Sequence, residues 1–242
     1  AFGGRMSDGK TIFIYDDGIG SVSLVDHMGS DITVVNSARV SFGIHKSDLD
    51  RGDKRLINYL IKHRHTSTLE HNLVTFKFVV PLFVRSQHHR HRTWSYNEIS
   101  RRYTDKDLQF YLPKSFRTQH ESNRQASNEE ILINPTITPK FLDTYIKASD
   151  AVAAFKDQSV DLFNHMLDKG VCREQARMVL PQNLYTEYYG TVNLNNLLKF
   201  IDLRTHEGAQ WEIQKVAEAC LDIATDLFPV TVNAYRKIRD AS

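Results

Sequence analysis

Asn72-Leu73-Val74-Thr75-Phe76-Lys77-Phe78-Val79-Val80-Pro81 is the stretch whose reading decides the fold of this chain. Val74, Phe76, Phe78 and Val80 recur at period two, and Leu73 and Val79 add apolar groups to the opposite face, so the stretch reads as a well-buried strand. Pro81 fits the first turn of a helix that runs through Phe83, Val84 and Gln87 toward Arg90. Gln87 and Arg90, three residues apart, would share a face of that helix.

Upstream, the apolar runs Ile12 to Tyr15, Val22 to Val25 and Ile32 to Val35 alternate with Gly and Asp, the pattern of short strands and turns. From Asp50 the period changes: Leu56, Ile57, Leu60 and Ile61 form a helical stripe that should end near His63, followed by a loop over His65 to Glu70. Downstream, residues 114–139 are polar, with Pro135 and Pro139 near their end, and read as a long mobile loop. Phe141 to Lys169 predicts an amphipathic helix stopped by Gly170. A short helix from Arg173 to Leu180 should stop before Pro181, and Leu184 to Val192 is rich in Tyr and Thr, as strands are. Asn193 is a natural N-cap for a helix carrying Leu197, Leu198, Ile201 and Leu203 to Arg204. Glu207 to Phe228 predicts a further helix, ended by Pro229. Several helices around a modest, mostly antiparallel sheet, with no regular strand-helix alternation, make an α+β fold, and residues 1–242 read as a single domain.

Composition narrows the function. Hydrophobic residues at 41% and charged residues at 25% are ordinary for a soluble globular protein, and the net charge of +2 argues against a chain that coats nucleic acid. No run of 18 apolar residues exists to cross a membrane. No charged segment followed by an apolar core marks a secretory leader, and Ala1 to Arg5 ahead of Met6 read as a remnant of expression. Cys172 and Cys220 form no CxxC pair, so neither a disulfide framework nor a thiolate metal site is expected, and a cytoplasmic location follows most simply.

The chemistry concentrates in Arg90-His91-Arg92-Thr93-Trp94-Ser95-Tyr96-Asn97-Glu98-Ile99-Ser100-Arg101-Arg102-Tyr103. Four arginines can grip phosphate through planar forks, while hydroxyls, an amide and the single Glu98 can match the donors and acceptors of a pyrimidine edge. A nucleotide site is one reading. An exposed basic helix end is another, and an RNA-binding stretch with Trp94, Tyr96 and Tyr103 as stacking platforms is a third. His63, His65, His71, His88, His89 and His91 cluster in sequence but lack carboxylates at metal-ligand spacing, and the adjacent His88 and His89 read as surface or interface residues. No glycine-rich dinucleotide or phosphate loop is present. Cys172 reads as a small packed residue beside Arg173, and Cys220 as core.

The same segment matches, at every defined position, the pattern RHRxxSxNExSxRY, and the chain thereby resembles the flavin-dependent thymidylate synthases. Lys62 to His71 is similar to that family's flavin-contacting loop, Arg85-Ser86-Gln87 to its helix before the motif, and Ala176 to Pro181, Asn193 to Arg204 and Ala209 to Ile213 to its later segments. The resemblance implies a homotetramer in which FAD and dUMP lie between subunits. It implies conversion of dUMP to dTMP with methylenetetrahydrofolate as one-carbon donor and NADPH as reductant through FAD, without an enzyme nucleophile, metal or nucleic-acid partner. Gln87, Arg90, Glu98, Ser100, Arg101, Arg102 and Arg177 are implied as dUMP ligands. Ser67, Arg90, His91, Arg92, Glu98, Asn193, Lys199 and Arg204 are implied on the FAD side. Arg177 and His65 are the implied catalytic pair, the first polarising the pyrimidine and the second beside the reactive flavin ring. Asn195 stands where arginine is common in the family, and Lys199 where asparagine is, so Lys199 is expected to restore the lost charge. Ser67 replaces the commoner threonine and keeps the hydroxyl.

Overall fold

The computed structural model describes residues 9–100 and 108–241. Its centre is a five-stranded antiparallel sheet in the order β1-β2-β3-β9-β4, built from β1 (Thr11–Phe13), β2 (Ser21–Met28), β3 (Leu73–Pro81), β4 (Ser95–Glu98) and β9 (Tyr185–Asn193). β3 is the strand that the alternating stretch predicts. It lies between β2 and β9, in a register that sets Phe76 opposite Gly190 and Phe78 opposite Tyr188. Val74, Phe76, Phe78 and Val80 are fully buried on one face. Removing such a ring, as in Phe76→Ala, costs on the order of 3–5 kcal/mol in a packed core.

Glycine is required at position 190. A Cβ there would stand 2.9 Å from the Phe78 ring and 3.1 Å from Trp94, which close over the strand.

Two long helices cover the buried face. α6 (Leu194–Thr205) begins where β9 ends, with the Asn193 side chain accepting the Asn196 backbone N–H at 2.9 Å. Leu197, Leu198, Phe200 and Ile201 of α6 pack with Ile213, Val216, Cys220 and Ile223 of α7 (Trp211–Leu227) in the same core. α8 (Pro229–Asp240) closes the chain, its first amides at Val230 and Thr231 held by the buried carboxylate of Asp31. A second, smaller core joins Phe110, Phe163, Ala176, Leu180 and Leu184 beneath α4 (Ala148–Asp168). Gly170, at φ 87°, ends α4 as its position predicts.

Several expectations are corrected. Ile32 to Val35 are helical, inside α1 (Asp31–Arg39). A capping box at Ser30 and Thr33 and the burial of Val34 and Val35 override their strand propensity. Pro81 is the last residue of β3 and caps α3 (Leu82–His88), which stops two residues short of Arg90, so Gln87 and Arg90 share no helical face. Residues 114–139 are not a bare loop. They hold the hairpin β5 (Phe116–Gln119) and β6 (Ser127–Ile133), then β7 (Thr136–Ile137), which pairs with β8 (Ile146–Lys147). α4 starts at Ala148 and not at Phe141, because Asp143 at φ 49° breaks helical geometry. α7 starts at Trp211 and not at Glu207, and Pro229, which ends it, also opens α8 at its first turn. α2 (Arg51–Lys62) ends where expected, with a 3-10 turn over Thr66–Leu69 behind it.

Candidate active site

β4 is short and lies at the sheet edge, and this carries Glu98 and Ser100 to their place. Glu98 pairs with Tyr188, the Ile99 N–H bonds to the Glu187 carbonyl at 2.9 Å, and Ser100 then enters a cleft of about 690 Å³. The opposite wall is the turn made by α5 (Arg173–Ala176) and the 3-10 residues Arg177–Val179. Arg85, Glu98, Ser100, Glu174, Arg177 and Thr186 line this space. Glu98 accepts a hydrogen bond from Thr186 at 2.7 Å, and Arg85 stands 3.5 Å from its other oxygen. Arg177 is exposed, and its Nε donates to the Glu174 carbonyl at 3.3 Å. Its planar guanidinium keeps further donors for a carbonyl or a phosphate. Among the described residues, neither cysteine nor histidine lines the cleft.

A second group sits where α3, the 88–92 turn and α6 meet. Arg204 donates from Nε to His91 Nε2 at 3.0 Å and from Nη2 to the Gln87 carbonyl at 3.1 Å. His91 therefore accepts at Nε2 and carries its proton on Nδ1. Burial, then the Arg204 cation, push its pKa down to about 4. Burial and neighbouring Arg90 lower that of Arg204. Gln87 donates to Gln210 at 2.7 Å, Gln210 donates to Glu212 at 2.9 Å, and Arg117 of the hairpin holds Glu212 at 2.8 Å. Gln87 Oε1 is left buried and unpartnered. Arg90 and Arg92 are exposed.

The third group surrounds a cleft of about 460 Å³ between the end of α2, α6 and α8. His65 and Lys199 line it above a floor that includes Leu60, Leu69 and Leu198. His65 stacks on Tyr59 with ring centroids 5.9 Å apart. Asn195 also lines the cleft, largely buried, and donates to Glu70 at 3.3 Å. Ser67 is exposed on the 3-10 turn. An apolar floor under a cationic rim suits a ligand that joins a flat ring system to phosphates, as FAD does.

The fold thus brings Glu98, Ser100 and Arg177 to one cleft, Gln87, His91 and Arg204 to a second network, and His65 with Lys199 to a third place. Arg101 and Arg102 lie outside the described residues. Asn193 is partly committed to capping α6. His88 is not a surface residue: it is wholly buried, 2.6 Å from the Tyr188 hydroxyl, and burial holds its pKa well below the ordinary histidine value. Trp94 is also buried, and the Tyr96 ring packs against His89 and Trp94, so both are taken up inside the fold and not displayed as the RNA reading needs. Cys172 is exposed, not packed, because it caps the short α5. Cys220 is core, its thiol pushed up by burial. Among the described residues no group of three or more His, Cys, Asp or Glu side chains is placed to hold a metal ion, and no helix is long and apolar enough to cross a membrane.

Sequence reading gave no role to Arg85, Glu174 or Thr186. Arg85 carried a signal, being a cation one turn from the motif. Thr186 carried none, since a threonine in a strand reads as strand propensity alone.

The fold and this cleft define an α+β protein with an arginine-walled polar site at the edge of an antiparallel sheet. Residues 23–230 match the family described as thymidylate synthase complementing protein. The flavin-dependent thymidylate synthase of Thermus thermophilus is 41% identical over 234 residues, covering 96% of this chain and 80% of that protein. That of Thermotoga neapolitana is 38% identical over 218 residues, covering 90% and 91%. A crystal structure of the UMP/dUMP methylase PolB from Streptomyces cacaoi bound with 5-Br dUMP is similar with a TM-score of 0.74 and 32% identity, covering 89% of this chain and 94% of that one. The chain belongs to the flavin-dependent thymidylate synthase family.

Proposed function

We propose that this chain methylates dUMP to dTMP, with methylenetetrahydrofolate as one-carbon donor and NADPH as reductant through FAD, as a cytoplasmic homotetramer of one domain per chain. The observation that carries the reading is the cleft that joins Glu98 and Ser100 of the motif to Arg177 from the other half of the chain. FAD, when bound, supplies the hydride chemistry. The protein's part is to bind, orient and polarise.

Arg177 directs a fixed cation at a pyrimidine carbonyl, where charge builds up as the ring is activated, and needs no proton transfer to do so. Ser100 orients the nucleotide. Gln87, Arg90, Arg101 and Arg102 complete the grip on dUMP, Arg90 and Arg102 as phosphate forks and Arg101 through its backbone. Glu98, fixed between Thr186 and Arg85, stands between the nucleotide and flavin sides. Ser67, Arg90, His91, Arg92, Asn193, Lys199 and Arg204 hold FAD, and His65 lies beside its ring. In this reading the flavin carries the chemistry and no enzyme nucleophile takes part. The three groups line different surfaces of one chain, and Glu98, Arg177, His65 and Lys199 are exposed, which supports sites completed by neighbouring copies.

The test is direct. Purified protein should bind FAD and turn yellow, and should form dTMP only when dUMP, methylenetetrahydrofolate and NADPH are all present. UMP offered in place of dUMP tests the choice of sugar. Protein that takes up no FAD would overturn the reading.

A further inference from the structure

Arg64 occupies a backbone position that an arginine enters only under strain. At the end of α2 the His65 N–H bonds to the Leu60 carbonyl at 2.9 Å and the Arg64 N–H to the Ile61 carbonyl at 3.1 Å, the paired bonds of a left-handed helix stop. Arg64 is its left-handed residue, at φ 57°. Glycine is the usual occupant, because any Cβ crowds the backbone there. The same chain uses glycine in the same motif at the end of α4, where the Val171 N–H bonds to Met166 and the Gly170 N–H to Leu167, with φ 87°. Strained residues of this kind persist where the side chain serves a site.

Arg64 lines the cleft that holds His65 and Lys199. The charged groups around it do not balance. Arg239 stands 3.9 Å from Asp202 and 3.2 Å from Asp240, whereas Arg64 and Lys199 have no side-chain partner among the described residues. Two unpaired cations thus border one cleft with an apolar floor.

We propose that Arg64 is a further FAD-binding residue, seating the cofactor's diphosphate together with Lys199. This rests on the flavin reading of the cleft. It explains how the chain tolerates the uncharged Asn195 in the same cleft: Lys199, one turn further along α6, and Arg64, from the end of α2, together supply the charge. It also explains why a strained arginine stands where glycine would fit better.

The experiment compares wild type, Arg64→Gly, Arg64→Ala and Lys199→Ala of the full chain, stripped of flavin. FAD affinity is read by flavin fluorescence at several salt concentrations, and melting temperature is read without FAD. Arg64→Gly should bind FAD roughly tenfold more weakly, with a shallower salt dependence, yet melt about 2–4 °C higher than wild type because the strain is gone. Arg64→Ala should lose the same affinity without the gain in melting temperature. Arg64→Gly that is stabilised but binds FAD like wild type would overturn the proposal, leaving Arg64 as a turn residue. So would weakened NADPH binding with FAD binding intact. Wild type that binds no FAD at all would overturn the flavin reading and this proposal together, before any variant is compared.

Discussion

At the scale of single residues, the site depends on side chains whose neighbours fix what they can offer. Arg177 is exposed and, among the described residues, bonded only to a backbone carbonyl, so its removal should cost chemistry and not stability. Arg177→Ala should lower the rate of dTMP formation by roughly 100-fold, the scale set by losing one electrostatic stabiliser, with an unchanged melting temperature. His91 behaves oppositely. Its pKa falls to about 4 in the folded chain against an ordinary 6.5, so the unfolded chain takes up its proton first. Stability should therefore decline as pH drops below about 6.5 and level off below about 4, and His91→Gln, which keeps an acceptor for Arg204, should flatten that decline. Thermal melts across this range check it; an unaltered pH profile in His91→Gln would contradict the assignment. These roles were only partly legible in sequence. The motif named Glu98 and Ser100, and the similar segment Ala176 to Pro181 named Arg177, but a string of letters does not reveal that His91 is an acceptor or that His88 is sealed in the core.

At the scale of elements, caps and clamps decide where the site residues stand. Asn193 is expected on the FAD side, yet its side chain also starts α6. Asn193→Asp keeps a capping oxygen and removes the amide donor, whereas Asn193→Ala loses both. The alanine variant should be destabilised by about 1 kcal/mol and the aspartate variant hardly at all, so weaker FAD binding in the aspartate variant would be loss of a ligand and not of a helix. Asp53 clamps the segment between α1 and α2. Burial pushes its carboxyl up, but Lys46, the Asp50 backbone N–H and Arg39 outweigh that and hold its pKa at about 2. A depressed carboxyl stabilises above its unfolded value and loses that effect as pH falls, so Asp53→Asn should melt lower than wild type at neutral pH, and the gap should close as pH falls from about 4 toward 2. Elements with strong periodicity, such as β3 and α6, were readable. Those set by caps or by distant partners were not: α1 was hidden by β-branched residues, and the 116–133 hairpin is anchored by Arg117 on Glu212, a contact no local pattern announces.

At the scale of the whole molecule, one chain presents the expected site in pieces. Glu98, Ser100 and Arg177 share a cleft, but His65 and Lys199 line another. Light scattering should therefore show a tetramer, and variants inactive at different pieces should complement each other. Inactive Arg177→Ala and inactive His65→Ala chains, unfolded and refolded together, should regain part of the wild-type rate if each site draws on two chains; separate sites in each chain would give none. Sequence alone could name these residues but not show their separation, because spacing along a chain says nothing about which face of the fold each residue reaches. The most direct test of the central claim is a titration of dUMP into the FAD-loaded protein, followed by visible flavin absorbance. A saturable change in the flavin band, lost in Arg177→Ala, is the predicted result. A flavin spectrum indifferent to dUMP, or a chain that never acquires flavin, would contradict it.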